Sequence, residues 1–184
     1  MLEARSEQID WEAALVQRAR SGDVRAFERL YREHIGRVYG LCLRLTRDEA
    51  SAQDCAQEAF INAWRALERF ETRSSLATWL HRIAVNVVLA KRRRRSPLVE
   101  LPEGAAELEE SEWTLDTPVE VSEIEAAIGE LPPGARDVLV LSGIYGYGHA
   151  EVARMLGVAE GTCKAQLHRA RALLRAKLSL EDAS

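Results

Sequence analysis

Residues 149–178 read HAEVARMLGVAEGTCKAQLHRARALLRAKL, and two helical patterns meet in them at a glycine. A short apolar period runs through Leu156 and stops at Gly157, and a second opens near Glu160. Ala153 is small, the glycine suits a tight turn, and Cys163, Leu167, Ala170 and Leu174 recur at four- and three-residue steps along one side of the second helix. Two helices that cross closely need these features, so the stretch predicts a helix-turn-helix. From 161 to 178 there are five Lys or Arg residues and no acid. The outward side of the second helix's first half carries Lys164, Ala165, His168 and Arg169, with Gln166 at its flank. Apolar residues behind and basic, hydrogen-bonding residues in front are what a helix lying in the DNA major groove requires.

Working outward, LPPGARDVLVLSGIY (131–145) predicts one helix with prolines at its start, and SEIE (122–125) has the form of a capping box. GIYGYGH (143–149) resembles a phosphate-binding loop only loosely, because no predicted strand precedes it and no lysine stands in the P-loop position. It reads as a turn. Residues 96–121 contain Pro97, Pro102 and Pro118, eight acids and no base, without a sustained helical period. They read as a linker that self-repulsion keeps extended and off nucleic acid.

Directly before this acidic stretch stands KRRRR, Lys91–Arg95. The formal charge of −4 therefore hides a division: 18 bases against 13 acids in 1–95, and 7 against 8 in 122–184. Basic residues gathered in one module suggest a polyanionic partner, since Lys and Arg gain affinity by displacing counterions from phosphates. The plainer account of KRRRR is a solvated helix end whose charge suits the helix dipole.

The front half is helical throughout. After Asp23 as N-cap, Phe27, Leu30, Tyr31, His34, Val38, Leu41, Cys42 and Leu45 mark one long amphipathic helix. Asp48 opens another, with Ala52, Ala56, Ala59, Phe60, Ala63, Trp64 and Leu67 on one face and Asp54, Glu58, Ile61 and Arg65 opposite. Ser75 caps a third, whose buried stripe is Leu76, Trp79, Leu80, Ile83 and Val87. By this reading Trp64 and Trp79 are core. For Phe70, at the edge of a loop rather than inside a stripe, stacking on an unpaired base is the sharper alternative to packing.

Composition limits the alternatives. At 184 residues and 47% hydrophobic content, the chain can bury two small cores but no large catalytic domain. Cys42, Cys55 and Cys163 have no short pair spacing and His34, His81, His149 and His168 are scattered, so neither a disulfide framework nor a metal site is expected. No signal peptide and no run of roughly 18 apolar residues is present, and a cytoplasmic protein without membrane insertion is expected. No nucleophile set or paired-carboxylate signature points to an enzyme, a cofactor or a small-molecule substrate.

Three stretches together, DCAQEAFINAWRALERF (54–70), TWLHRIAVN (78–86) with its basic helix end, and GVAEGTCKAQLHRARALLR (157–175), resemble regions 2 and 4 of bacterial sigma factors of the extracytoplasmic-function (ECF) group. The resemblance implies an all-α fold of two small helical domains. It divides the chain into an extension (1–22), region 2 (23–95), an acidic linker (96–121), region 4 with the helix-turn-helix (122–178) and a tail (179–184). It implies core RNA polymerase and promoter DNA as partners, with an anti-sigma factor as inhibitor. Asp54, Gln57, Glu58, Ile61 and Arg65 would meet the polymerase clamp. The loop Phe70, Glu71, Thr72, Arg73, Ser74 and Ser75 would capture a flipped base of the minus-ten element, with Asn86 below it and Arg82, Arg92 and Arg93 on the backbone. Lys164, Ala165, Gln166, His168 and Arg169 would face the minus-thirty-five element, and Arg175 its phosphates. Cys163, Ala165 and Gln166 depart from the family's usual valine, serine and arginine, so no promoter sequence carries over. A tether of 26 residues has an r.m.s. span of roughly 30 Å and a maximum of roughly 90 Å, so it can reach the roughly 70 Å between boxes two helical turns apart, but a scaffold must set the geometry. A helix-turn-helix regulator acting without polymerase is the competing reading, but it leaves the Asp48–Phe70 surface and the long spacer without a use.

Overall fold

Short polar side chains set the helix boundaries in the front half. The computed structural model describes residues 2–71, 73–95 and 121–181, and among these every regular element is helical. Helix α1 (Leu2–Arg20) ends in a turn where Gly22 has φ of +89°, a left-handed conformation that a residue without Cβ adopts freely. Asp23 then accepts the Ala26 N–H at 3.1 Å and starts α2 (Val24–Thr46). The Arg18 guanidinium also donates to Asp23, at 2.7 Å. The backbone N–H of Ala26 and then this guanidinium hold the Asp23 carboxyl below the usual range. Asp48 does the same work for α3 (Glu49–Ala66), accepting the Ser51 N–H at 2.8 Å. A single 3₁₀ turn, Leu67–Arg69, follows, and Ser75 accepts the Thr78 N–H at 3.1 Å to open α4 (Leu76–Arg95).

The chain divides into two units, Met1–Val88 and Leu89–Ser184, so the division falls inside α4. In the first unit α3 packs on α2 through a row of short side chains, Ala52, Cys55, Ala56, Ala59 and Ala63, against Leu30, Val38, Leu41 and Leu45. Leu76, Leu80, Ala84, Val85 and Val88 bury the inner face of α4. Residues 1–22, expected as an extension, supply a helix of this unit. Leu15, Val16 and Ala19 are buried, Glu12 pairs with His34 at 2.9 Å, and the Arg29 guanidinium lies 5.5 Å from the Trp11 ring centre.

In the second unit α5 (Val121–Glu130) takes in Ser122 and Glu125, the two ends of the expected capping box, in its first turns. Arg136 is buried and donates to the Gly129 and Leu131 carbonyls at 3.2 and 3.4 Å, covering the end of α5. The helix expected over 131–145 is shorter. Helix α6 (Pro133–Leu139) has proline at its first position, where a missing N–H is harmless, and then widens into a π turn over Val140–Ile144. Helix α7 (His149–Leu156) closes at Gly157, φ +70°, and the Val158 N–H reaches back to the Ala153 carbonyl at 3.1 Å. Helix α8 (Glu160–Glu181) runs three residues past the expected end at Leu178 and packs on α5, α6 and α7. The helix-turn-helix read from residues 149–178 is present. The expected acidic linker, apart from Val121 at the start of α5, lies outside the described residues.

Candidate nucleic-acid and partner interfaces

Along α3 the alanine row faces inward, and the residues between its members must face out. Asp54, Gln57, Glu58, Ile61 and Arg65 are all exposed, and Ile61 keeps 51% of its surface in water. Trp64, expected in the core, is 37% exposed. Its ring lies 4.8 Å from that of Phe27, tilted by 59°, and its exposed part extends the apolar surface begun by Ile61 one turn earlier. Their spacing of three residues was the available signal.

The segment after α3 differs from the expectation at its first residue. Phe70 is only 4% exposed, its N–H donates to the Leu67 carbonyl at 3.1 Å, and its ring lies 4.9 Å from that of Trp79. It is a packing residue in this structure, not an open stacking platform. The reason is a contact across the loop: Trp79, one turn into α4, offers an apolar partner that a reading by loop position does not supply. Glu71 and Arg73 are exposed and pair at 2.7 Å, Ser74 is half-buried, and Ser75 is exposed while capping α4. Thr72 lies outside the described residues. On α4, Asn86 and Arg93 are exposed and Arg82 is half-buried. Their four- and seven-residue spacing puts all three on one side of the helix.

Arg92 stands apart from that row. Within the second unit its guanidinium holds both oxygens of Asp137, at 2.6 and 3.2 Å. Burial pushes the Asp137 carboxyl up, and Arg92 pulls the other way. Behind Asn86 and Arg82, the buried His81 imidazole is pushed down to about 4, first by burial and then by the neighbouring His34 and Arg37.

On α8 the outward residues are Lys164, His168, Arg169 and Arg175, and Ala165 is half-buried. Gln166, expected at the flank of this surface, is buried to 8%. It stands three residues after Cys163 and four before Ala170, both fully buried, so helical geometry returns it to the core side. Arg171, absent from the expected contacts, is half-exposed and completes a row Lys164, His168, Arg171, Arg175 at steps of four, three and four. Lys164 also lies 3.7 Å from Glu160. The Cys163 and Cys42 thiols are buried, which pushes them up to about 11 and about 12 and leaves them unreactive. Among the described residues no cluster of His, Cys, Asp or Glu is arranged to hold a metal ion, and no helix is long and apolar enough to cross a membrane.

Two family models match in the order of the two surfaces: Sigma-70 region 2 over residues 30–97 and Sigma-70, region 4 over residues 122–174. The RNA polymerase sigma-H factor of Pseudomonas aeruginosa is 36% identical over 170 residues, 85% of this chain and 88% of that protein. The ECF RNA polymerase sigma factor SigM of Mycobacterium tuberculosis is 35% identical over 157 residues, 84% of this chain and 78% of its own. The chain belongs to the ECF group of the sigma-70 family. Among solved structures, the sigma factor RpoE of Bartonella quintana, in complex with the anti-sigma factor NepR, is similar with a TM-score of 0.63 and 25% identity, over 85% of this chain and 98% of that one. Region 2 of this sigma factor thus takes in most of α2 with α3 and α4, and region 4 takes in α5 to most of α8. Helix α1 precedes both matched segments.

Proposed function

We propose that this sigma factor binds core RNA polymerase, directs it to two-part promoters and helps open the DNA, with no catalysis of its own. The observation that carries the reading is the order of the two matched segments, region 2 and then region 4, in one short chain. The exposed chemistry of each unit agrees with it. In this account the face of Asp54, Gln57, Glu58, Ile61 and Arg65, widened by Trp64, meets the polymerase. Glu71, Arg73, Ser74 and Ser75, with Asn86, take the unpaired minus-ten base, and Arg82 and Arg93 hold its backbone. Phe70 supports that pocket from within. Lys164, Ala165, His168 and Arg169 face the bases of the minus-thirty-five element, Arg171 and Arg175 contact its phosphates, and Gln166 packs behind them.

The protein acts in the cytoplasm, where polymerase and promoter are found, and residues 96–121 tether its two units across the polymerase. Like the Bartonella relative, it has an anti-sigma factor as inhibitory partner. The test is run-off transcription from a genomic promoter library with core polymerase, with and without the protein. Transcripts that depend on the protein are expected. Their absence, together with promoter binding by the protein alone, would favour a stand-alone regulator instead.

A further inference from the structure

Helix α1 lies ahead of the residues matched by the region 2 family model, yet its last turn touches the base of the minus-ten segment. The contact is specific. Arg20 Nη2 donates to the Glu68 carbonyl at 3.0 Å, a bond that joins residues 48 positions apart. Glu68 lies in the 3₁₀ turn that ends α3, where carbonyls lack helical partners and a cation is favoured by the dipole. The adjoining Leu67 is buried, as are Val16 and Ala19 on α1. Leu67 in turn accepts the N–H of Phe70, and Phe70 packs on Trp79.

A continuous chain of contacts therefore runs from α1 through the turn to the start of the segment that would receive the base. At its other end that segment is fixed by Ser75, which caps α4. The Arg20 end is itself held in place: Arg18 grips Asp23, the N-cap of α2, and this fixes the exit of α1. Two posts thus flank the described residues Glu71, Arg73 and Ser74, and one of them is secured by α1.

We infer that α1 sets the geometry of the minus-ten segment, with Arg20 as the positioning residue; the inference rests on the proposed function. Arg20 touches no base. It acts by fixing the carbonyl two residues before Phe70, so its loss relaxes the pocket and leaves the α2–α3 core and the exposed α3 face unchanged.

The test compares full-length wild type, Arg20→Ala and Arg20→Lys by three measurements: core polymerase affinity, closed-complex formation by gel shift, and open-complex formation by permanganate footprinting. Amide exchange at Glu71, Arg73 and Ser74 is followed in the same proteins without DNA. For Arg20→Ala we expect faster exchange at these amides and a roughly five- to tenfold loss of open complex, the scale of one ordinary hydrogen bond at an exposed site. Core affinity, closed binding and the thermal midpoint should stay near wild type. Arg20→Lys, which keeps a cationic donor, should recover most of the loss. Unchanged exchange and opening in Arg20→Ala would overturn the inference, and so would parallel losses in core affinity, midpoint and opening. If wild type itself opens no promoter with core polymerase, the functional reading fails, whatever the exchange data show about the contact.

Discussion

Replacing Phe70 by alanine separates packing from base recognition. The side chain is 4% exposed and its ring sits 4.9 Å from Trp79, tilted by 43°. Truncating a buried phenylalanine costs about 3–5 kcal/mol, of which an aromatic pair of this kind contributes about 0.5–1.5 kcal/mol. The first unit holds 88 residues, and at about 0.05–0.15 kcal/mol per residue its whole stability is about 4–13 kcal/mol. Phe70→Ala should therefore remove a large share of that stability and weaken polymerase binding, closed complex and open complex together. Phe70→Leu keeps most of the apolar volume and should restore most of the midpoint. Asn86→Ala is the control: its side chain is exposed, so stability should move by less than about 0.5 kcal/mol, while open-complex formation falls more than closed binding. Urea unfolding followed by tryptophan fluorescence gives the stability, and gel shifts beside permanganate footprints give the two DNA steps. A Phe70→Ala protein with a wild-type midpoint and a selective loss of opening would refute this reasoning and return Phe70 to the role of a stacking platform.

On the α3 face proposed to meet polymerase, Ile61→Asp combined with Glu58→Arg should weaken core binding by about tenfold or more in a titration, with helical content unchanged because both side chains are exposed. Acid should destabilise the first unit through His81. Its folded value near 4 lies below the ordinary 6.5, so the unfolded chain takes up the proton first. Stability from this group should be complete above about pH 6.5 and decline by about 3 kcal/mol towards pH 4, and His81→Leu should flatten that part of the urea-midpoint profile. On α8, Arg175→Ala should weaken all promoters alike and reduce the salt dependence by roughly one counterion. Arg169→Ala should cost about 1–3 kcal/mol on the preferred sequence and relax one base position in a randomised minus-thirty-five library.

Periodicity and caps carried most of the architecture. Asp23, Asp48 and Ser75 each cap the helix they were expected to open, and the glycine between α7 and α8 takes the left-handed conformation its position required. The direction of each helical face was equally legible, since a repeat of 3.6 residues fixes which side is apolar. How far burial spreads around the helix was not. Gln166 and Trp64 both sit on the border of their apolar stripe, and one is buried while the other stays partly open. Phe70 depends on Trp79, nine positions on, and Arg20 on Glu68, so no local pattern announces either. The π turn after Leu139 also has no periodic signature, because it widens one turn without changing which residues are apolar.

The border effect bears on how this sigma factor chooses its promoters. Of the three α8 positions that the resemblance to the family set apart, Cys163 is fully buried, Gln166 is buried to 8%, and only the half-buried Ala165 reaches the outward side. A change at Cys163 or Gln166 alters volume and polarity inside the helix-turn-helix, where small differences in fit are felt as stability. A change at Ala165 alters what a base edge could meet and disturbs little packing, as is usual for surface substitutions. Alanine brings no hydrogen-bonding group to that place; it offers a methyl that can lie against the methyl of thymine and leaves room for its longer neighbours. Under the proposed function, discrimination falls to Lys164, His168 and Arg169, which lie near Ala165 on the exposed side of the helix. Their support is the buried row Cys163, Leu167, Ala170 and Leu174, which fixes the helix without taking part in the reading. If the exposed row reads the promoter as proposed, the separation of the two rows lets promoter preference change by substitution on one side of α8 while the fold is kept by the other.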